Sequence, residues 1–174
     1  HSRIPIASGL HPQVESKLAR ARTSAARARA IALSAVRETY EEAGLLIGRP
    51  GDFSTPRSDW HGFVEHRVTP ALDNLRFIAR AITPPGRVRR FDTRFLAAFR
   101  DDVAVELAEG GPTDELEEIV WLPLHKATEA DIPTITRTVL TELLARLRDD
   151  PELSPGTPVP FYYMRHNRFC RDIL

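Results

Sequence analysis

Apolar and polar positions in the first quarter of the chain recur at three- and four-residue spacing. Ala28, Ile31, Ala32, Ala35, Val36, Thr39 and Ala43 form one stripe, which predicts a helix over 24–43 with Ser24 as its N-cap. The small residues of that stripe suit close packing on a sheet. A shorter helix is expected over 12–22, starting at Pro12. Residues 49–59 contain Pro50, Gly51 and Pro56 and read as a loop, followed by a short helix from Trp60 to Arg67 and a further helix start at Thr69-Pro70. The period then changes to two. Leu75–Ile82 and Arg90–Phe99 are strand candidates, the second with Phe91, Thr93, Phe95 and Ala97 on one side, and Thr83-Pro84-Pro85-Gly86 turns the chain between them. Glu117–Leu122 reads as a third strand. Ile135, Val139, Leu140, Leu143, Leu144 and Leu147 stripe a long helix over 133–149. A proline-rich stretch follows, and then Phe161–Met164 and Arg168–Ile173 form a hairpin about His166-Asn167.

A chain of 174 residues can bury a substantial core, and one domain over 1–174 is the expectation. No apolar stretch approaches the roughly 20 residues that span a bilayer, so no membrane role is expected. Lys+Arg and Asp+Glu both number 24, which removes any bulk electrostatic case for nucleic acid. The single cysteine, Cys170, excludes an internal disulfide and a cysteine-based zinc cage, and a reducing, cytoplasmic compartment is the natural expectation. Charge is segregated along the sequence: seven bases face one acid from His1 to Arg37, and eight acids with no base lie between Asp101 and Glu118. Such runs form solvated faces or flank a site that handles anions and metal.

The charges at the end of the 24–43 helix are wrong for a helix that only has to fold. Glu38 lies three and four residues before Glu41 and Glu42, so the three carboxylates crowd one face. Gly44 is a natural left-handed terminator, which puts them in the last turns, where the macrodipole presents its negative end. Each misplaced carboxylate there costs roughly 0.3–1 kcal/mol. A divalent cation relieves both penalties, and Mg²⁺ accepts one or two carboxylates plus water and phosphate oxygens. Arg37, one turn before Glu41, can pair with it and hold its orientation. The alternative is a solvated acidic helix end.

Arg37-Glu38-Thr39-Tyr40-Glu41-Glu42-Ala43-Gly44-Leu45 resembles the C-terminal half of the Nudix box, Gly-x5-Glu-x7-Arg-Glu-U-x-Glu-Glu-x-Gly-U, with U a bulky aliphatic residue. Thr39 is polar at an aliphatic position. The upstream half is absent, since its Gly would fall on Thr23 and its Glu on Arg29. Ala79-Arg80-Ala81-Ile82-Thr83-Pro84, Arg90-Phe91-Asp92-Thr93-Arg94-Phe95 and the closing Pro160-Phe161-Tyr162 to Arg171-Asp172 resemble the subgroup of peroxisomal coenzyme A diphosphatases and bacterial relatives, which carries an insertion inside the box. The resemblance implies an α/β fold, a Nudix-type α/β/α sandwich with a mixed sheet. It makes 1–26 a helical insertion and 150–174 a C-terminal extension, and it puts the glycine loop and N-terminal strands before His1.

The same resemblance implies a metal-dependent hydrolase of a diphosphate linkage in a nucleoside diphosphate derivative; the subgroup points to coenzyme A or acyl-CoA, and nucleotide-sugar and dinucleoside substrates stay open. Mg²⁺ or Mn²⁺ is the expected cofactor, held by Glu38 and Glu42, with Glu41 as a further ligand or as the base, oriented by Arg37. Arg89, Arg90 and Arg94 are candidate substrate cations, because guanidinium forks suit phosphate oxygens. A basic strand edge that resists aggregation is the competing reading. Asp114, Glu115 and Glu118 are candidates for an additional acid. The scattered histidines form no zinc pattern, and no P-loop or dinucleotide fingerprint occurs. A Nudix-fold binding or regulatory module without catalysis is the rival expectation, and a homodimer is left open.

Overall fold

Pro at the first helical position and an N-cap at His11, whose Nδ1 accepts from the Gln13 amide at 3.3 Å, start helix α1 at Pro12–Leu18. The computed structural model describes residues 3–20, 23–86, 89–113 and 119–174. Helix α2 runs Ala25–Ala43, with Ser24 Oγ accepting from the Arg27 amide at 3.2 Å, as its spacing predicts. Strand β1 follows at Leu45–Pro50, then a 3₁₀ turn at Ser58–Trp60, helix α3 at His61–Glu65 and strand β2 at Val68–Pro70. Strands β3 (Arg76–Ile82), β4 (Asp92–Ala97) and β5 (Val103–Glu106) precede helices α4 (Leu124–Ala127) and α5 (Thr134–Asp149), and β6 (Pro160–Arg165) and β7 (Arg168–Ile173) close the chain.

By its contacts the chain divides into two compact units, His1–Leu75 with Ala98–Val120, and Arg76–Ala97 with Trp121–Leu174. The first holds a three-stranded antiparallel sheet in the order β2-β1-β5, and the core beside it gathers Ala32, Leu33 and Val36 of α2, Leu46, Trp60, Phe63, Val68 and Leu72. Ile4 is part of that core, and Ala7 and Ser8 hydrogen-bond with Pro70 and Leu72, so this N-terminal segment is stitched to the end of β2 and the residues just after it.

The second unit holds a four-stranded sheet, β4-β3-β6-β7, mixed because β3 and β6 run parallel. Residues 160–174, which the resemblance treats as an extension, supply two of its strands, with β6 between β3 and β7. Helix α5 packs on this unit more loosely than its apolar stripe predicts, since Val139 is its one fully buried side chain. The protein is therefore α/β with one antiparallel and one mixed sheet, compatible with an α/β sandwich. No helix among the described residues is long and apolar enough to cross a membrane.

Three local expectations are corrected. Thr69-Pro70 does not start a helix: Pro70 pairs with Gly48 at the edge of the three-stranded sheet, where a missing N–H is tolerated. Residues 49 and 50 are the end of β1 and not loop. Ile119–Leu122 has no regular structure, and these side chains are exposed. Propensity makes a strand only where a second strand offers a ladder, and among the described residues none pairs with this segment.

Candidate functional site at the end of α2

Burial of Ala28, Ala32, Leu33 and Val36 sets the roll of α2, and that roll decides where its charges go. Glu38 and Glu42 emerge exposed, while Arg37 and Glu41 stay half-buried. Gly44 ends the helix in the left-handed region at φ 68°, and its amide returns to the Thr39 and Tyr40 carbonyls. All three glutamates therefore occupy the last turns, as their spacing requires.

Arg37 holds two of them. Its Nη1 donates to Glu41 Oε2, and its Nη2 lies 3.6 Å from Glu38 Oε1. The side chains of Arg37 and Glu41 are 20% and 22% exposed, against 58% for Glu38, so the tighter contact is also the drier one. The sequence assigns Arg37 to Glu41 alone; its contact with Glu38 adds compensation that spacing does not reveal. Arg37 Nε is buried with no hydrogen-bond partner among the described residues.

The surroundings are charged as well. Asp59, from the 3₁₀ turn before α3, accepts a fork from Arg57 Nε and Nη2 at 3.1 and 2.9 Å. That hydrogen bond holds the Asp59 carboxyl below its ordinary range against the upward push of burial, and the positive charges of Arg57 and Arg37 act in the same direction. Burial pushes the Tyr40 phenol up, with Glu65 and Glu41 adding to it, so Tyr40 stays protonated at neutral pH and packs edge-on against Phe63. Sequence reasoning missed Asp59, whose approach depends on a nonlocal packing that no short motif encodes.

A loop at Leu107–Thr113 closes over the helix end. The Leu107 amide donates to the Gly44 carbonyl at 2.9 Å, and Thr113 donates to the Glu41 carbonyl through both its amide, at 3.2 Å, and its Oγ1, at 2.7 Å. A Cβ on Gly111 would lie 2.0 Å from the Glu41 carbonyl oxygen, so only glycine permits this approach.

Among the described residues no three His, Cys, Asp or Glu side chains converge as a closed metal cage. What α2 offers is an open set, two exposed carboxylates one turn apart at Glu38 and Glu42, with Glu41 facing Arg37 through Oε2. Mg²⁺ takes one or two carboxylates, keeps several waters and completes its octahedron with substrate phosphate, so this donor set fits a hard, partly hydrated ion better than zinc.

The candidate substrate arginines belong to the second unit. Arg94 is spent on its own strand: its guanidinium donates to the Asp92 carbonyl at 2.8 Å and lies 3.1 Å from the Asp92 carboxylate. Arg90 Nε donates to the Thr83 carbonyl at 3.1 Å. Arg89 is exposed and makes no ion pair among the described residues. Arg80, not singled out from the sequence, faces Arg94 across the ladder, forks onto Asp92 at 2.8 and 2.7 Å and lies 4.7 Å above the Phe161 ring. Only strand register reveals that grouping. The candidate acids Asp114, Glu115 and Glu118 lie outside the described residues. No protein-family model matches the chain, and no solved structure matches it at a significant level.

Proposed function

We propose that the protein is a Nudix-type, metal-dependent hydrolase of a diphosphate linkage in a nucleoside diphosphate derivative, with coenzyme A or an acyl-CoA as the substrate class. The observation that carries this reading is Arg37 fixed on Glu41 while Glu38 and Glu42 stay exposed on the same helix end. Glu38 and Glu42 would hold Mg²⁺ or Mn²⁺. Such an ion, when bound, supplies Lewis-acid activation of water and neutralises charge developing on the phosphoryl oxygens. Glu41, oriented by Arg37, would accept the proton of the attacking water, and Tyr40, kept protonated beside it, adds no competing base. The lone cysteine fits a reducing, cytoplasmic setting.

Glu41→Gln tests the assignment. Mn²⁺-dependent turnover on a panel of diphosphates, coenzyme A included, is expected to fall by about a hundredfold or more, with circular dichroism unchanged. Near-normal turnover refutes the role of Glu41. A second reading, a Nudix-fold binding module without catalysis, draws support from Arg37, which without an ion already pairs with Glu41 and stands 3.6 Å from Glu38. Absence of Mn²⁺-dependent hydrolysis across the panel, with a diphosphate still bound in calorimetry, favours that module.

A further inference from the structure

The last turn of any helix leaves four carbonyls without intrahelical partners, and such ends fray. In α2 that turn carries Glu41 and Glu42, so fraying would swing both carboxylates. The structure closes it from outside. Thr113 puts two donors on the Glu41 carbonyl, Leu107 puts one on the Gly44 carbonyl, and Gly111 passes so close to Glu41 that any side chain there collides with backbone. Gly44 is held in turn, because a Cβ on it would lie 2.5 Å from the Gly110 carbonyl oxygen. Backbone is thus locked against backbone from two sides. Those donors also face the negative end of the α2 dipole, whose last turns carry three carboxylates that the dipole disfavours.

We infer that the Leu107–Thr113 loop is a positioning clamp for the α2 carboxylates and that Thr113 is its key positioning residue, setting the affinity for a divalent cation. This rests on the hydrolase reading. Functional groups must be held within about 0.5 Å to work, and an otherwise exposed helix end does not hold them that well unaided. Thr113 touches the backbone of Glu41 and acts only through it.

The test compares the full chain with its Thr113→Val and Thr113→Ser variants, reading Mn²⁺ binding by electron paramagnetic resonance and amide exchange at residues 42–44. Valine keeps the shape and removes one donor, whereas serine keeps the donor. Thr113→Val is expected to weaken Mn²⁺ binding about tenfold and to speed exchange at those amides, with thermal stability nearly unchanged, and Thr113→Ser to bind within about twofold of the parent. Gly111→Ala is expected to act more strongly in the same direction; should it fail to fold, the threonine pair still decides. Parent-like Mn²⁺ affinity in Thr113→Val overturns the clamp, and so does an equal loss in Thr113→Ser. A parent protein that takes up no Mn²⁺ overturns the hydrolase reading and, with it, the affinity role, whereas faster exchange at 42–44 still separates a real backbone clamp from none.

Discussion

Asp92 is the residue whose surroundings say most about charge in this protein. It accepts from both Arg80 and Arg94, whose side chains are only 12% and 14% exposed and stand directly opposite each other across β3 and β4. Like charges opposed on one sheet face repel, so the carboxylate is what makes the pair tolerable. Burial pushes the Asp92 carboxyl up, but the hydrogen bond from Arg80 and the charges of Arg94 and Arg80 outweigh it and hold the group below its ordinary value. A depressed folded-state value means that this stabilisation is present above the unfolded value near 4 and is lost as pH falls through the folded one. Asp92→Asn should therefore cost about 1–3 kcal/mol in urea denaturation at neutral pH, and less at pH 3. An equal cost at both pH values argues against the linkage. The Arg37–Glu41 pair was legible because helical spacing fixes an i, i+4 neighbour, whereas Arg80, Asp92 and Arg94 meet only once two strands choose a register.

The elements divide along the same line. Helices α2 and α5 and the closing hairpin are read from sequence nearly to the residue, since caps, stripes and turns are local. The hairpin pairs Arg165 with Arg168 around His166 and Asn167, which both adopt positive φ, 46° and 60°. Two successive left-handed residues are the signature of a type I′ turn, in which Gly is preferred at the second position. Asn167→Gly should raise stability by about 0.5–1 kcal/mol in chemical denaturation, and a loss of stability would rule out this turn geometry. Strands β1, β2 and β5 were not legible. They are short, they carry Gly48, Pro50 and Pro70, and their ladder joins residues nearly sixty positions apart in sequence, as in Leu46 with Val105. The reverse error at Ile119–Leu122 has the same cause, because β-rich composition cannot report whether a partner strand exists.

At the scale of the whole molecule, stability is unevenly distributed. Leu33, Val36, Leu46, Trp60 and Phe63 of the first unit are completely buried, while α5 in the second buries only Val139 fully. Local opening follows buried apolar contact, so amides in α2 and β1 should exchange more slowly than those in α5, on the order of tenfold or more by mass spectrometry. Equal protection in the two regions would contradict this ranking. The bridging of Glu38 and Glu41 by Arg37 bears on handling as well as on chemistry. Because a guanidinium already stands between those acids, the protein carries its own counterion, and dialysis against a chelator should leave its melting point where it was. A preparation treated in this way would stay folded, a clean starting point for asking whether any cation is taken up at all.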